Sequence, residues 1–172
     1  EASVVINQVT GLQRSEILGT LSANGLVYLI NPQGIFIGPD AFIQTAGFVA
    51  TTFDQLTLNE DGMPIHFKGD SKHPITHLGQ IKTTGGIVTL VAAQIEHQGT
   101  TQGSNVVIAS APEVWIKPDE KGVYLIPQVS VQEIADAMDP LEFIIKQEGT
   151  VRATTCVENE GRIYLVSSQK AE

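Results

Sequence analysis

Short apolar runs broken by Gly, Pro or Asn recur along this chain, while the 3.6-residue spacing of an amphipathic helix is almost absent. β-branched residues dominate the runs, so they read as strands: Val4–Ile6, Leu26–Ile30, Ile35–Ile37, Phe42–Thr45, a run from Phe48 to the Thr51-Thr52 pair, Ile87–Val91, Val106–Ala109 and Ile163–Val166. Between the second and third lies Asn31-Pro32-Gln33-Gly34, built to turn. Pro32 presets φ at the second turn position, the Asn31 side chain bonds the backbone just after it, and Gly34 suits the fourth.

The runs resemble one another. Gly25-Leu-Val-Tyr-Leu-Ile30 recurs as Gly86-Ile-Val-Thr-Leu-Val91 and as Gly161-Arg-Ile-Tyr-Leu-Val166. Leu90-Val-Ala-Ala-Gln94 lines up with Leu165-Val-Ser-Ser-Gln169, and Gly79-Gln-Ile-Lys-Thr-Thr84 with Gly149-Thr-Val-Arg-Ala-Thr154. A repeated unit that cannot bury its apolar face alone stacks on its neighbours. The expected architecture is therefore all-β: a right-handed parallel β-helix, a single-stranded solenoid with coils of about 20 residues. An antiparallel sandwich is the competitor, but its strands need not resemble each other.

Two segments break the pattern. Residues Asn59 to Pro74 are rich in turn formers and read as a loop excursion. Ser130 to Met138 carries a capping box (Ser130 with Glu133) and stops before Pro140, so one short helix is expected there, outside the coils. No low-complexity linker divides residues 1–172, which read as one domain.

Composition narrows the function. Charged residues are 17% of the chain, and 10 basic against 19 acidic residues give a net charge of −9. Phosphate binding needs clustered Lys and Arg, so nucleic acid is excluded as a partner. The single cysteine, Cys156, rules out an internal disulfide framework and reads as a small core residue. No apolar run reaches the roughly 20 residues of a membrane span.

The candidate chemistry is thin. His73 and His77 stand four apart with His66 nearby, but without a companion Glu or Cys they read as solvent-exposed loop histidines, and no metal or cofactor is expected. The acidic residues fall mainly in the excursions, among them Asp54, Glu60, Asp61, Asp70, Asp119, Glu120, Asp136, Asp139 and Glu142. That leaves the coils without the paired carboxylates of a β-helix polysaccharide lyase. Trp115 reads as packed against an adjoining element rather than stacked on a sugar. Asn24 and Asn31 read as members of an asparagine ladder at the corners. The chain is expected to be a non-enzymatic module.

A family resemblance sharpens this. Val4-Val-Ile-Asn-Gln-Val-Thr-Gly11, Ser15-Glu-Ile-Leu-Gly-Thr-Leu-Ser-Ala-Asn-Gly25, Val27 to Ile35, Gly38, Ala41 and Gly47 to Asp54 resemble the two-partner secretion domain, the amino-terminal module of filamentous haemagglutinin-like exoproteins. Gly79 to Ala111 resembles the family's later coils more loosely. The family's Asn-Pro-Asn-Gly-Ile motif maps onto Asn31, Pro32, Gln33, Gly34 and Ile35, with Gln33 in place of the third-position Asn. Asn24, Gly25, Gly38 and Gly47 are supporting motif positions.

The resemblance implies a secretion signal and folding nucleus for a large adhesin or haemolysin. Its partner would be an outer-membrane β-barrel transporter with periplasmic polypeptide-transport-associated domains. Location would be secreted or at the bacterial cell surface. Host-surface glycans or receptors are further partners it allows, and a glycan-binding module is the alternative function. The resemblance also implies that the chain begins within the family's N-terminal cap, leaving a coil end uncovered.

Overall fold

The computed structural model describes residues 3–118, 125–129, 144–153 and 162–167. The chain winds through three strands per coil. The first coil holds β1 (Val4–Gln8), β2 (Ser15–Ile17) and β3 (Thr20–Ser22); the second holds β4 (Leu26–Ile30), β5 (Ile35–Ile37) and β6 (Phe42–Thr45). The third starts with β7 (Gly47–Thr51), leaves the stack for β8 (Gln55–Leu58) and β9 (Pro64–Lys68), and returns as β10 (Ile75–His77) and β11 (Gln80–Thr83). The fourth is β12 (Ile87–Val91), β13 (Gln94–His97) and β14 (Thr100–Gly103). The fifth starts with β15 (Asn105–Ser110), leaves for β16 (Glu113–Pro118) and β17 (Leu125–Val129), and returns as β18 (Ile144–Gln147) and β19 (Thr150–Ala153). β20 (Arg162–Ser167) opens the sixth.

Stacking makes three parallel sheets. The first runs β1-β4-β7-β12-β15-β20, the second β2-β5-β10-β13-β18, and the third β3-β6-β11-β14-β19. This is the expected parallel β-helix, and the parallel registers exclude the antiparallel sandwich. The repeats fall into register as the sequence aligns them: Val27 pairs with Phe48, Phe48 with Val88, Val88 with Val106, and Val106 with Ile163.

Why the first sheet is apolar at consecutive positions follows from its two covers. Its inward residues, including Val27, Leu29, Phe48, Leu90 and Ile108, fill the solenoid interior with Ile37, Ile43 and Ile81. Its outward residues, including Leu26, Tyr28, Val49 and Val107, pack under Phe53, Phe67, Val114 and Ile116. A sheet buried on both faces reads as a continuous apolar run. The other two sheets face water on one side, so their strands alternate: Gln80–Thr83 is exposed, buried, exposed, buried.

The outer cover is an antiparallel sheet ordered β17-β16-β9-β8. Both excursions leave at the end of a first-sheet strand and pair with each other. The Asn59–Pro74 segment is therefore not a plain loop. It contains β9, paired with β8 through a turn in which Asn59 Oδ1 accepts from the Asp61 and Met63 amides at 3.0 and 2.8 Å. The Tyr28 hydroxyl ties this turn to the coils by donating to Gly62 O at 2.6 Å. At the first coil, β1 is the edge of its sheet, with Val4, Val5 and Ile6 39%, 53% and 51% exposed. The expected helix at Ser130–Met138 and Cys156 lie outside the described residues.

Candidate functional site

Asn31 to Ile35 form the corner between the first and second sheets of the second coil. The Gly34 amide donates to Asn31 O at 3.1 Å, closing the turn, and the Gln33 amide donates to Asn31 Oδ1 at 2.8 Å. Both bonds follow from Asn-Pro-x-Gly, since Pro32 has no amide to place and Asn favours the local side-chain bond. Gly34 sits at φ +106°, a backbone that L side chains rarely adopt. Gln33 leaves the turn intact; its side chain is not one of the buried groups.

The corner is stitched to the coils on both sides. Asn31 Nδ2 donates to Gln13 O at 3.0 Å and Ser15 Oγ at 2.9 Å in the first coil, and the Ser15 amide donates to Gly34 O at 3.0 Å. Toward the third coil, the Asn31 amide donates to Thr51 O at 3.0 Å, the Ile35 amide to Pro74 O at 3.1 Å, and Ser71 Oγ to Pro32 O at 2.6 Å. Asn31 is fully buried with these partners satisfied. Pro32 and Gln33 are the corner residues that retain exposure. Sequence reasoning missed Ser15, Ser71 and Pro74 as members of this cluster. Ser71 and Pro74 were legible only as turn formers, because contact across one coil is invisible without the register.

The supporting positions do not gather here. Asn24, Gly25 and Gly47 mark the opposite corner, at the entry to the first sheet, and Gly38 follows the second sheet. Asn24 is exposed, so it forms no ladder with buried Asn31. A Cβ at Gly25 would run into the Ser3 carbonyl, and one at Gly47 would stand 2.7 Å from Leu26 Cδ1. Their shared requirement is close approach between coils.

The histidines separate into three environments. His73 is exposed, as expected. His77 is not: it lies fully buried in β10, because strand alternation turns Ile75 and His77 inward together. It pairs in register with buried His97, and the rings meet edge-to-face with centroids 4.7 Å apart. His77 Nε2 donates to Thr100 O at 3.3 Å, His97 Nε2 bonds Thr101 Oγ1 at 2.8 Å, and His77 Nδ1 is buried without a partner. Burial, reinforced by His97, pushes the His77 imidazole down to about 4, with the bond to Thr100 opposing; burial also lowers His97. Both rings are neutral packing groups at pH 7.

His66 lies on β9, part-buried, with Nε2 2.6 Å from Glu113 Oε1. Its ring stacks on Trp115 at 3.7 Å and 14°. Trp115 thus packs on a neighbour as expected, yet 41% of it stays exposed. Among the described residues, no three His, Cys, Asp or Glu gather to hold a metal ion, and no helix is long and apolar enough to cross a membrane.

Known proteins resemble this chain in sequence and fold. Two heme/hemopexin-binding proteins are similar to parts of it. One, from Haemophilus influenzae strain Rd, is 50% identical over 60 residues, 35% of this chain and 7% of that protein. The other, from Haemophilus influenzae, is 42% identical over 72 residues, 42% of this chain and 8% of that protein. The chain spans less than a tenth of either. The crystal structure of the HMW1 secretion domain from Haemophilus influenzae superimposes with a TM-score of 0.64 at 24% identity, over 89% of this chain and 44% of that one, a likeness of fold. The family model of the TPS secretion domain, the two-partner secretion module, matches residues 1–168. With that match spanning nearly every coil, the chain belongs to the TPS secretion domain family.

Proposed function

We propose that this chain is the secretion-signal and folding-nucleus module of a larger secreted exoprotein of the adhesin or haemagglutinin kind. Its partner is a cognate outer-membrane β-barrel transporter with periplasmic polypeptide-transport-associated domains, and its destination is the cell surface or the medium. It works by folding and recognition, without catalysis. The observation that carries this reading is the family match over residues 1–168.

Two structural features support a mechanism. β1 is an edge strand with exposed apolar side chains, the kind of template that pairs with a partner's strand. The Asn31 corner links the first three coils, so completing it commits the chain to stacking; each added coil then opposes backsliding through the transporter. Because Asn31 itself is buried, its contribution to export runs through folding, and Pro32 and Gln33 are what a partner can touch. Co-expression with the matching transporter tests this. Replacing Asn31 and Gly34 together by Ala should abolish export while the precursor still reaches the periplasm, and undiminished secretion would sink the claim.

A second reading, a glycan-binding adhesin module, is favoured by one observation. The outward face of the third sheet is lined by Thr, Ser, Gln and Lys with no carboxylate. A glycan array run without the transporter separates it from the first.

A further inference from the structure

Acidic residues are distributed unevenly over this solenoid. The outward column of the second sheet runs Glu16, Phe36, Thr76, Glu96 and Lys146. Its charges are matched locally: Arg14 pairs with Glu16 at 2.7 Å and lies over the Phe36 ring, and Lys146 lies 3.8 Å from Glu96 and 3.2 Å from Glu148. On the third sheet the corresponding column is Ser22, Gln44, Lys82, Gln102 and Arg152 in unbroken parallel register. The column beside it contains Phe42, with Thr or Gln at its other positions. Neither contains Asp or Glu, in a chain carrying −9.

Ser22, Gln44 and Lys82 are exposed, and Lys82 makes no ion pair with a described residue. Registered strands repeat every 4.8 Å or so along the solenoid axis, so Lys82 and Arg152, two strands apart, stand about 10 Å apart. Between them lies Gln102, whose amide can both donate and accept. Phe42, part-exposed, offers an apolar ring one strand from Lys82.

We infer that this face is a docking track for a linear acidic polysaccharide, a uronate-bearing chain lying along the solenoid axis. The inference rests on the glycan-binding reading and names its site and ligand class. Lys82 and Arg152 meet carboxylates on alternate sugars. Gln44 and Gln102 bond ring hydroxyls, and Phe42 takes the C–H face of a sugar. Charge complementarity selects this occupant: a carboxylate-free strip is the part of an acidic protein that an acidic chain approaches without repulsion. A nucleic acid, with a phosphate at every nucleotide, demands a denser array of cations than two per face.

Affinity electrophoresis of the folded domain through gels containing hyaluronan, polygalacturonate or neutral dextran tests this. Retardation is expected with the two uronate polymers and not with dextran, and it should fade on raising salt from about 20 to 300 mM. Lys82→Glu/Arg152→Glu should weaken binding about tenfold or more, the scale of losing two charge-assisted bonds, with the far-UV spectrum and Tm of the variant checked against the parent. Trp115→Ala should leave binding unchanged. Retardation undiminished in the double variant, or lost instead in Trp115→Ala, overturns the site while leaving glycan binding standing. No retardation by either uronate polymer overturns the glycan reading as well. Equal retardation by dextran or by single-stranded DNA overturns the ligand class.

Discussion

Replacing Asn31 by Ala tests the corner most directly. The substitution removes two donor bonds, to Gln13 O and Ser15 Oγ, and the acceptor for the Gln33 amide. Each such bond contributes about 0.5–1.5 kcal/mol net, so three give about 3 kcal/mol. The site is fully buried, so Gln13 O and Ser15 Oγ lose a partner that water does not readily replace. For a domain with a urea m-value of about 2 kcal/mol/M, the midpoint should fall by about 1.5 M with no change in slope. Asn31→Asp sharpens the test. It keeps the acceptor for Gln33 but buries a carboxylate against Gln13 O, and should be at least as destabilising at pH 7 and recover partly in acid. A midpoint shift below about 0.3 M for Asn31→Ala would refute the reasoning. Pairing the export assay with a core variant of matched stability, such as a truncated Ile43, separates folding from recognition. Equal loss of export in both means the corner acts through folding.

Three further outcomes follow from named contacts. His77 titrates near 4 in the fold and near 6.5 when unfolded, so between these values the unfolded chain holds more protons and stability falls with falling pH. His77 alone accounts for about 3 kcal/mol lost from pH 7 to below pH 4, and urea titrations of His77→Leu should show a flatter pH profile there. Gly99→Ala should cost about 1–3 kcal/mol in thermal or urea unfolding, because its Cβ would meet Gly79 O of the preceding coil. Tyr28→Phe removes the bond to Gly62 O and should cost about 1 kcal/mol, with hydrogen-exchange protection lost first around residues 59–63.

What the sequence made legible divides along a physical line. Strands of the first sheet were readable because burial on both faces leaves an unbroken apolar run, as in Leu26–Ile30 and Ile87–Val91. The short strands of the other sheets alternate with solvent, and Thr20–Ser22 has a single apolar residue, so composition alone does not reveal them. The Asn31 turn was readable because its bonds close within four residues; its ties to Ser15, Ser71 and Pro74 depend on the coil register. His77 was misread for the same reason. Taken with His73 it suggests a loop, but Ile75-Thr-His77-Leu-Gly79 recurs about 20 residues later as Ile95-Glu-His97-Gln-Gly99, one coil of a β-helix. That recurrence places Ile95 on Ile75 and His97 on His77, and it sets Gly99 against the Gly79 carbonyl. Ile145-Lys-Gln147-Glu-Gly149 continues the column with Gln147 Nε2 3.2 Å from His97 Nδ1. In a solenoid the informative unit is therefore the column of residues at one position in successive coils. A polar residue repeated down a column, as His77, His97 and Gln147 are, is inward-facing because its Ile neighbours two residues earlier are, and its partners are the members of the column above and below.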